Sequence, residues 1–535
     1  MKRFCLLLAF IIGTGLASAL GVKGIAQSML VESSHCLTAD SLKGYKLRAE
    51  NGDAEAAYLL SCYYLKKGVA HYRDGHAWAM KAAEEGSAAG MMNAGICYYD
   101  GMGVDKDSQT AAIFFLDALE AGNTRVLNAL AYMYAMGDGV SRNPDKAFEY
   151  ARRAVDIGLP YSLQTLAFMY ANGIGTPSDT QKARALYQKE IASNPDDGIA
   201  YHSLAVLLSQ ESDEHWSESV PLFQKAADRG CSLAYQPLAH AYWKGKGVKK
   251  DMTLAVEYMQ KAVESGDSEA YAYMAEMYHY GEGVPANMQI AEAWYRKAID
   301  YNPEDSYSLY SLAEVIMAQS PVAEHAVEIE QLMTKSAELG NVAAMEYLVH
   351  EYAVDDGLLP GNKSLYARWC CAAADKNATW ALLPAVALYE HNCAVDLDAS
   401  KALRYCELAV QNNVYGAAGC LAAMYATGKF APQDIDKAVE LYRQSIQQFP
   451  DISSAYAQLA QCLLHRDSAT ATLKEAFVLL QEGAQRNDPA ACRLLSRAYA
   501  DGWAFAGDTQ LPPDEAKARE YSARAEAIIS SGTSE

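Results

Sequence analysis

The stretch from Tyr134 to Tyr150, YAMGDGVSRNPDKAFEY, sets Gly137-Asp138-Gly139 ahead of Asn143-Pro144 and an apolar-periodic run. A glycine-rich loop feeding a helix N-terminus is what an anion site needs, because free backbone N–H groups and the helix dipole both face the ligand. The loop lacks the Gly-Lys-Ser/Thr ending of a P-loop, however, so phosphate binding is not expected. Other reactive side chains are equally unorganised. The eleven histidines are scattered, with no HExxH or GxSxG motif. None of the twelve cysteines forms a CxxC pair, so neither a zinc ribbon nor a thioredoxin-like site is indicated. The reading is of a chain with no catalytic residue, metal or cofactor.

Composition narrows the partners. With 45 basic against 66 acidic residues the formal charge is −21, and nucleic acid, which requires a basic face, is excluded as a partner. The chain opens MKRFCLLLAFIIGTGLASALG: Lys2 and Arg3, an apolar run from Phe4 to Ile12, and a small-residue Ala17-Ser18-Ala19 site. That is the pattern of a secretory signal peptide over residues 1–19, and the apolar run is too short to span a bilayer. No later segment is apolar for long enough to cross a membrane. The mature chain is expected to be exported, to a periplasm or out of the cell. Loss of Cys5 leaves an odd number of cysteines, which cannot all pair internally; Cys36 with Cys62 is one candidate bridge, and most of the others suit small core positions.

The glycine loop recurs. Copies read YYDGMGVDKDSQTAAIFF, YANGIGTPSDTQKARALY, YWKGKGVKKDMTLAVEYM and YHYGEGVPANMQIAEAWY, with first glycines at Gly101, Gly137, Gly173, Gly245 and Gly281. The spacing is 36 residues or twice that. Alanines keep the same beat at Ala82, Ala118, Ala154, Ala226, Ala262 and Ala298, with Glu190 filling the gap. Units close on glycine (Gly86, Gly122, Gly158, Gly230, Gly266, Gly340) or on Asn194, Asn302, Asn377, Asn413 or Asn487, residues that tolerate the left-handed backbone of a helix C-terminus. Each unit reads as two helices with apolar residues at three- and four-residue spacing. Asp107, Asn143, Asp179, Asp251 and Asn287 are placed to cap the second helix, and Pro144 suits its first position.

Thirteen units follow, starting near Asp53, Ser87, Asn123, Leu159, Asp196, Cys231, Asp267, Glu304, Asn341, Ala378, Val414, Asp451 and Asp488. The fifth, eighth and twelfth follow Pro195, Pro303 and Pro450, lack the paired glycines, and are expected to have shorter corners. The organisation expected is a signal peptide (1–19), an N-terminal segment with one capping helix (20–52), the repeat array (53–526) and a disordered tail (527–535).

The unit LAxMYxxGxGVxxDxxKAxxYxxKAxxxG, matched nearly position by position by LAYMYAMGDGVSRNPDKAFEYARRAVDIG, resembles the Sel1-like repeat, a branch of the tetratricopeptide-repeat superfamily. The resemblance implies an all-α, right-handed solenoid of antiparallel helix pairs, with the first helices lining a concave face that binds a protein or peptide. Such a stack forms an extended surface with no single enclosed pocket. The function implied is that of a noncatalytic interaction scaffold. The alternative within the family is penicillin or peptidoglycan binding, or weak β-lactam hydrolysis, as in secreted cysteine-rich members; those carry a cysteine pair in each repeat, and this chain does not.

In the LAYMY segment the leucine, alanine and last tyrosine recur and mark packing positions. The residue two before that tyrosine varies: Ile96, Tyr132, Phe168, Val206, His240, Glu276, Glu314, His350. Four residues earlier, on the same helix face, stand Asn128, Gln164, His202, Gln236, Tyr310 and Glu346, and three residues later Trp243 and His279. Together they propose a partner-binding groove in which aromatic anchors sit among polar neighbours, with Tyr132 and Phe168 replaceable by alanine without unfolding. The one basic island, Lys244, Lys246, Lys249 and Lys250, reads as a wet corner loop or as a contact for an acidic partner.

Overall fold

The computed structural model describes residues 39–319, 322–354, 357–391, 393, 398–466, 470–504 and 510–532. The expected signal peptide and Cys36 lie outside them. The chain divides into two compact units, Met1–Asn287 and Met288–Glu535, a division the period does not announce.

In the first unit a lone helix α1 (Ala39–Glu50) precedes the pairs α2/α3 (Ala54–Lys66, Tyr72–Glu84), α4/α5 (Ala88–Asp100, Ser108–Glu120) and α6/α7 (Leu127–Met136, Pro144–Asp156). There follow α8/α9 (Ser162–Asn172, Thr180–Ser193), α10/α11 (Gly198–Glu211, Trp216–Asp228), α12/α13 (Tyr235–Lys244, Met252–Glu264) and α14 (Ala270–Tyr280). The second unit opens on α15 (Met288–Tyr301). It continues through α16/α17 (Ser306–Met317, Ala326–Glu338), α18/α19 (Val342–Ala353, Lys363–Asp375), α20/α21 (Thr379–Glu390, Ala399–Gln411) and α22/α23 (Ala417–Thr427, Ile435–Gln448). It closes on α24/α25 (Ser453–Arg466, Thr470–Gln485) and α26/α27 (Pro489–Asp501, Glu515–Gly532). The first helix of every expected repeat begins within four residues of its predicted start. Two local features differ from expectation. A two-residue antiparallel hairpin pairs Trp503 with Leu511 and Ala504 with Gln510, and α27 runs to Gly532, past the expected end of the ordered array at residue 526.

One corner shows why the sequence folds this way. Gly137 ends α6 in the left-handed region, φ 77°. The Gly137 and Asp138 N–H groups both donate to the Met133 carbonyl, at 2.8 and 3.0 Å, satisfying a carbonyl the helix end would orphan. The Asn143 side chain then accepts from Lys146 N at 3.1 Å and Pro144 starts α7, an N-cap worth about 1 kcal/mol. Asp107, Asp179 and Asp251 cap α5, α9 and α13 in the same way. Asn377, Asn413 and Asn487 take the expected left-handed backbone. Asn194 does not, at φ −136°, and Asn302 is not among the left-handed residues either. Each precedes a proline, whose ring drives the residue before it into extended backbone.

Successive repeats meet at two kinds of small residue. The alanines Ala82, Ala118, Ala154, Ala226 and Ala262 are sealed in the core, so that α7, for example, can lie against both α6 and α8. Where a corner has two glycines, the second lies against the preceding repeat. A Cβ on Gly139 would sit 2.0 Å from the Ser108 carbonyl oxygen, at the first residue of α5, whereas one on Gly137 would meet nothing nearer than Arg142 Cβ at 3.2 Å. The contact repeats at Gly103, Gly175, Gly247 and Gly283, each against the first residue of the previous second helix: Tyr72, Pro144, Trp216 and Met252.

The two glycines of one corner should therefore differ. Gly137→Ala incurs left-handed strain alone, roughly 1–2 kcal/mol. Gly139→Ala adds a backbone clash and should cost on the order of 3 kcal/mol or more. Urea denaturation of the two variants tests this; equal losses would contradict the inter-repeat contact.

Candidate binding face

The Gly137 corner is not arranged around an anion, because the Gly137 and Asp138 N–H groups are used by Met133. A polar cleft of about 650 Å³ lies beside the loop, lined by Lys106–Gln109, Gly137 and Gly139–Ser141. The helix N-terminus facing it is already occupied by a carboxylate: Asp107 accepts from Gln109 N, Thr110 N and Thr110 Oγ1 at 3.0, 3.1 and 2.6 Å.

The residue between the glycines instead ties repeats together. Tyr99 OH, in the previous repeat, donates to Asp138 at 2.7 Å. Trp243 Nε1 donates to Glu282, and Lys246 Nζ to Asp213 at 2.7 Å. In the second unit Lys429 Nζ reaches the Glu390 carbonyl at 2.9 Å. Part of the basic island is thus internally paired. Lys246 is held by Asp213, and Lys244 lies 4.0 Å from the centre of the Trp243 ring.

The predicted groove divides in two. Asn128, Tyr132, Gln164, Phe168, His202, His240 and Trp243 are buried, which corrects their reading as accessible anchors. The cause is visible in α6, which buries every residue from Leu127 to Ala135: a helix apolar all round is enclosed all round. The amides on this face serve neighbouring repeats. Asn93 Nδ2 donates to Ser61 Oγ at 2.7 Å, Asn128 Nδ2 to the Pro160 carbonyl at 2.8 Å, and Gln164 Nε2 to Asp197. His202 packs near Phe223, with ring centres 5.7 Å apart, and burial drives its pKa down to about 4. His240 lies 5.7 Å from Trp216 and also falls to about 4, through burial first and the charges of Lys246 and Lys244 second.

The remaining predicted residues meet solvent. In the first unit Gln236, Glu276 and His279 are half-buried, the Gln236 Nε2 atom itself being buried without a hydrogen-bond partner among the described residues. In the second unit Tyr310 and Glu314 on α16 are half-buried, while Glu346 and His350 on α18 are exposed. Sequence reasoning missed the acids at the base of α14: burial, with Asp267 adding to it, raises Glu269 to about 6, and Asp267 itself is raised by burial. Glu190 and Asp197 are raised by burial as well. Glu190 stood out only as the residue interrupting the alanine column.

Among the described residues no His, Cys, Asp and Glu cluster could hold a metal, no helix is long and apolar enough to cross a membrane, and ten cysteines are free thiols.

The Sel1 repeat family matches residues 88–123, 125–159, 161–189, 233–267, 268–300, 419–448 and 489–527. The fifth, eighth and twelfth repeats fall outside those matches; the eighth does not have the expected shorter corner, its helices ending at Met317 and starting at Ala326. No curated protein matches the chain. Among solved structures it is similar to a protective antigen present in uropathogenic Escherichia coli strains displaying an SLR fold, at 22% identity over 88% of this chain and 99% of the other, TM-score 0.45. A Sel1 repeat protein from Oxalobacter formigenes aligns at 23% identity over 61% of this chain and 93% of its own, TM-score 0.40. Yeast Tom70 aligns at 15% identity over 90% and 97%, TM-score 0.26.

Burial has consequences for both the aromatic and the histidine positions. Tyr132→Ala or Phe168→Ala removes core, and each should lower stability by about 3–5 kcal/mol; an unchanged denaturation midpoint would return these residues to the surface. For the histidines, the folded pKa of about 4 lies below the ordinary value of 6.5. Their stabilisation is therefore full above pH 6.5 and is lost as pH falls toward 4. At about 1.36 kcal/mol per pH unit, His202 accounts for about 3 kcal/mol. The raised acids act in the opposite sense, so the test is a difference: His202→Leu should lose less stability between pH 7 and 4.5 than the natural chain, and parallel losses would contradict the assignment.

Proposed function

We propose that the chain, in which seven segments match the Sel1 repeat family, is a noncatalytic scaffold that binds a protein or peptide along the open parts of its first helices. The observation that carries this reading is the change in burial along the array. The first helices of the early repeats are sealed, whereas in the second unit α16 and α18 offer Tyr310, Glu314, Glu346 and His350 toward solvent. An aromatic ring among carboxylates suits a segment bearing basic and apolar side chains, the ring supplying contact area and the carboxylates orientation. The acidic balance of the whole chain supports the same polarity. Export to a periplasm or to the medium is part of the proposal, resting on the signal-like residues 1–19.

Affinity capture from the native extracytoplasmic fraction tests both parts, comparing the natural chain with Glu314→Lys/Glu346→Lys. A partner that binds here should be recovered at least tenfold less by the variant, at unchanged helix content. The same partners at the same yield would remove the face from the proposal, and a partner pool confined to the cytoplasm would remove the export.

A further inference from the structure

Two cysteines of the second unit lie at one helix junction. Cys406 is buried on α21, with Sγ 3.7 Å from the carbonyl oxygen of Ala417, the first residue of α22. Cys420 stands three residues further along α22, on the helix face that the Ala417 carbonyl and hence Cys406 approach, and the two thiols influence each other's ionisation. The preceding repeat shows what is particular here. Cys370, which is 36 residues earlier, makes the same contact with the Ala381 carbonyl at 3.8 Å, but Pro384 occupies the position matching Cys420.

The members of the pair are not equivalent. Cys420 is partly open to solvent, and Cys406 is sealed. The neighbouring Cys406 lowers the Cys420 pKa, while Cys420 and burial raise that of Cys406. Since the thiolate is the nucleophile, Cys420, the less buried residue with the lowered pKa, is the one prepared to react first, and Cys406 the one to react second.

We propose that Cys406 and Cys420 form a reversible disulfide by exchange with a low-molecular-weight disulfide such as oxidised glutathione. The Cys420 thiolate attacks one glutathione sulfur; the small disulfide breaks, one glutathione leaves as thiolate, and the other remains bonded to Cys420. Cys406 gives its proton to the departing thiolate and attacks Cys420 Sγ, expelling the second glutathione, which takes up a proton. The protein dithiol has then lost two electrons and two protons, and one oxidised glutathione has become two reduced molecules. The new bond ties the second helix of the tenth repeat to the first helix of the eleventh, and restrains the unfolded chain by closing a short loop.

Both cysteines lie in one tryptic peptide, Tyr405–Lys429, which makes the test direct. The purified full chain is equilibrated with mixtures of reduced and oxidised glutathione, free thiols are alkylated, and unreduced digests are weighed. The expected product is this peptide without label and short of two hydrogens, restored to a doubly labelled form by dithiothreitol. With Cys406→Ser, one glutathione should accumulate on Cys420. A peptide doubly labelled in every mixture, or glutathione persisting on Cys420 in the natural chain, would overturn the proposal. If the variant does not fold, the natural chain alone decides between these outcomes.

Discussion

The paired-glycine repeats of the first unit depend on a close backbone contact, that of the second corner glycine against the first turn of the preceding second helix. At Gly139 there is no room for a single carbon beside the Ser108 carbonyl, so one repeat's corner rests directly on the helix start of its neighbour. Packing at this distance leaves few voids and gives dispersion its full effect. It also fixes the step from one repeat to the next, because backbone cannot relax as a flexible side chain can. The alanines on the second helices extend the same economy of volume along each repeat.

Tight stacking decides where a ligand could bind. In the early repeats the first helix is enclosed, and its polar residues become ties: Asn128 holds the Pro160 carbonyl and Gln164 holds Asp197. A buried amide without such a partner would cost roughly 1–3 kcal/mol, so these side chains are committed to structure. Further along, Glu346 and His350 occupy the corresponding columns and remain accessible. One column of the repeat thus serves cohesion at one end and offers chemistry at the other.

Much of the architecture is legible from spacing. The period, the Gly137 helix end, the Asn143 cap and all thirteen repeat starts depend on local backbone preferences that each residue type carries with it. The burial of Tyr132 and Phe168 is legible in principle, since LNALAYMYAM is apolar on every face, but alignment by columns favours what varies over what is enclosed. The extended backbone at Asn194 likewise follows from Pro195. The placement of Cys406 and Cys420 at one helix junction is not legible, because it is set by how far two helices rotate about their own axes. Nor can the sequence tell an asparagine that ties repeats from one that meets water, as the residue is equally suited to both.

The residue between the corner glycines gives the array a memory of its order. Asp138 answers Tyr99, Glu282 answers Trp243, and Lys246 answers Asp213, so each of these junctions carries its own complementary pair on an otherwise shared backbone. Exchanging two repeats would preserve every helix and every turn while setting Lys246 opposite a tyrosine or Asp138 opposite another carboxylate. Repeats that look interchangeable by period are therefore addressed individually, much as marked stones in an arch, and the chain can diversify one junction at a time without losing its place.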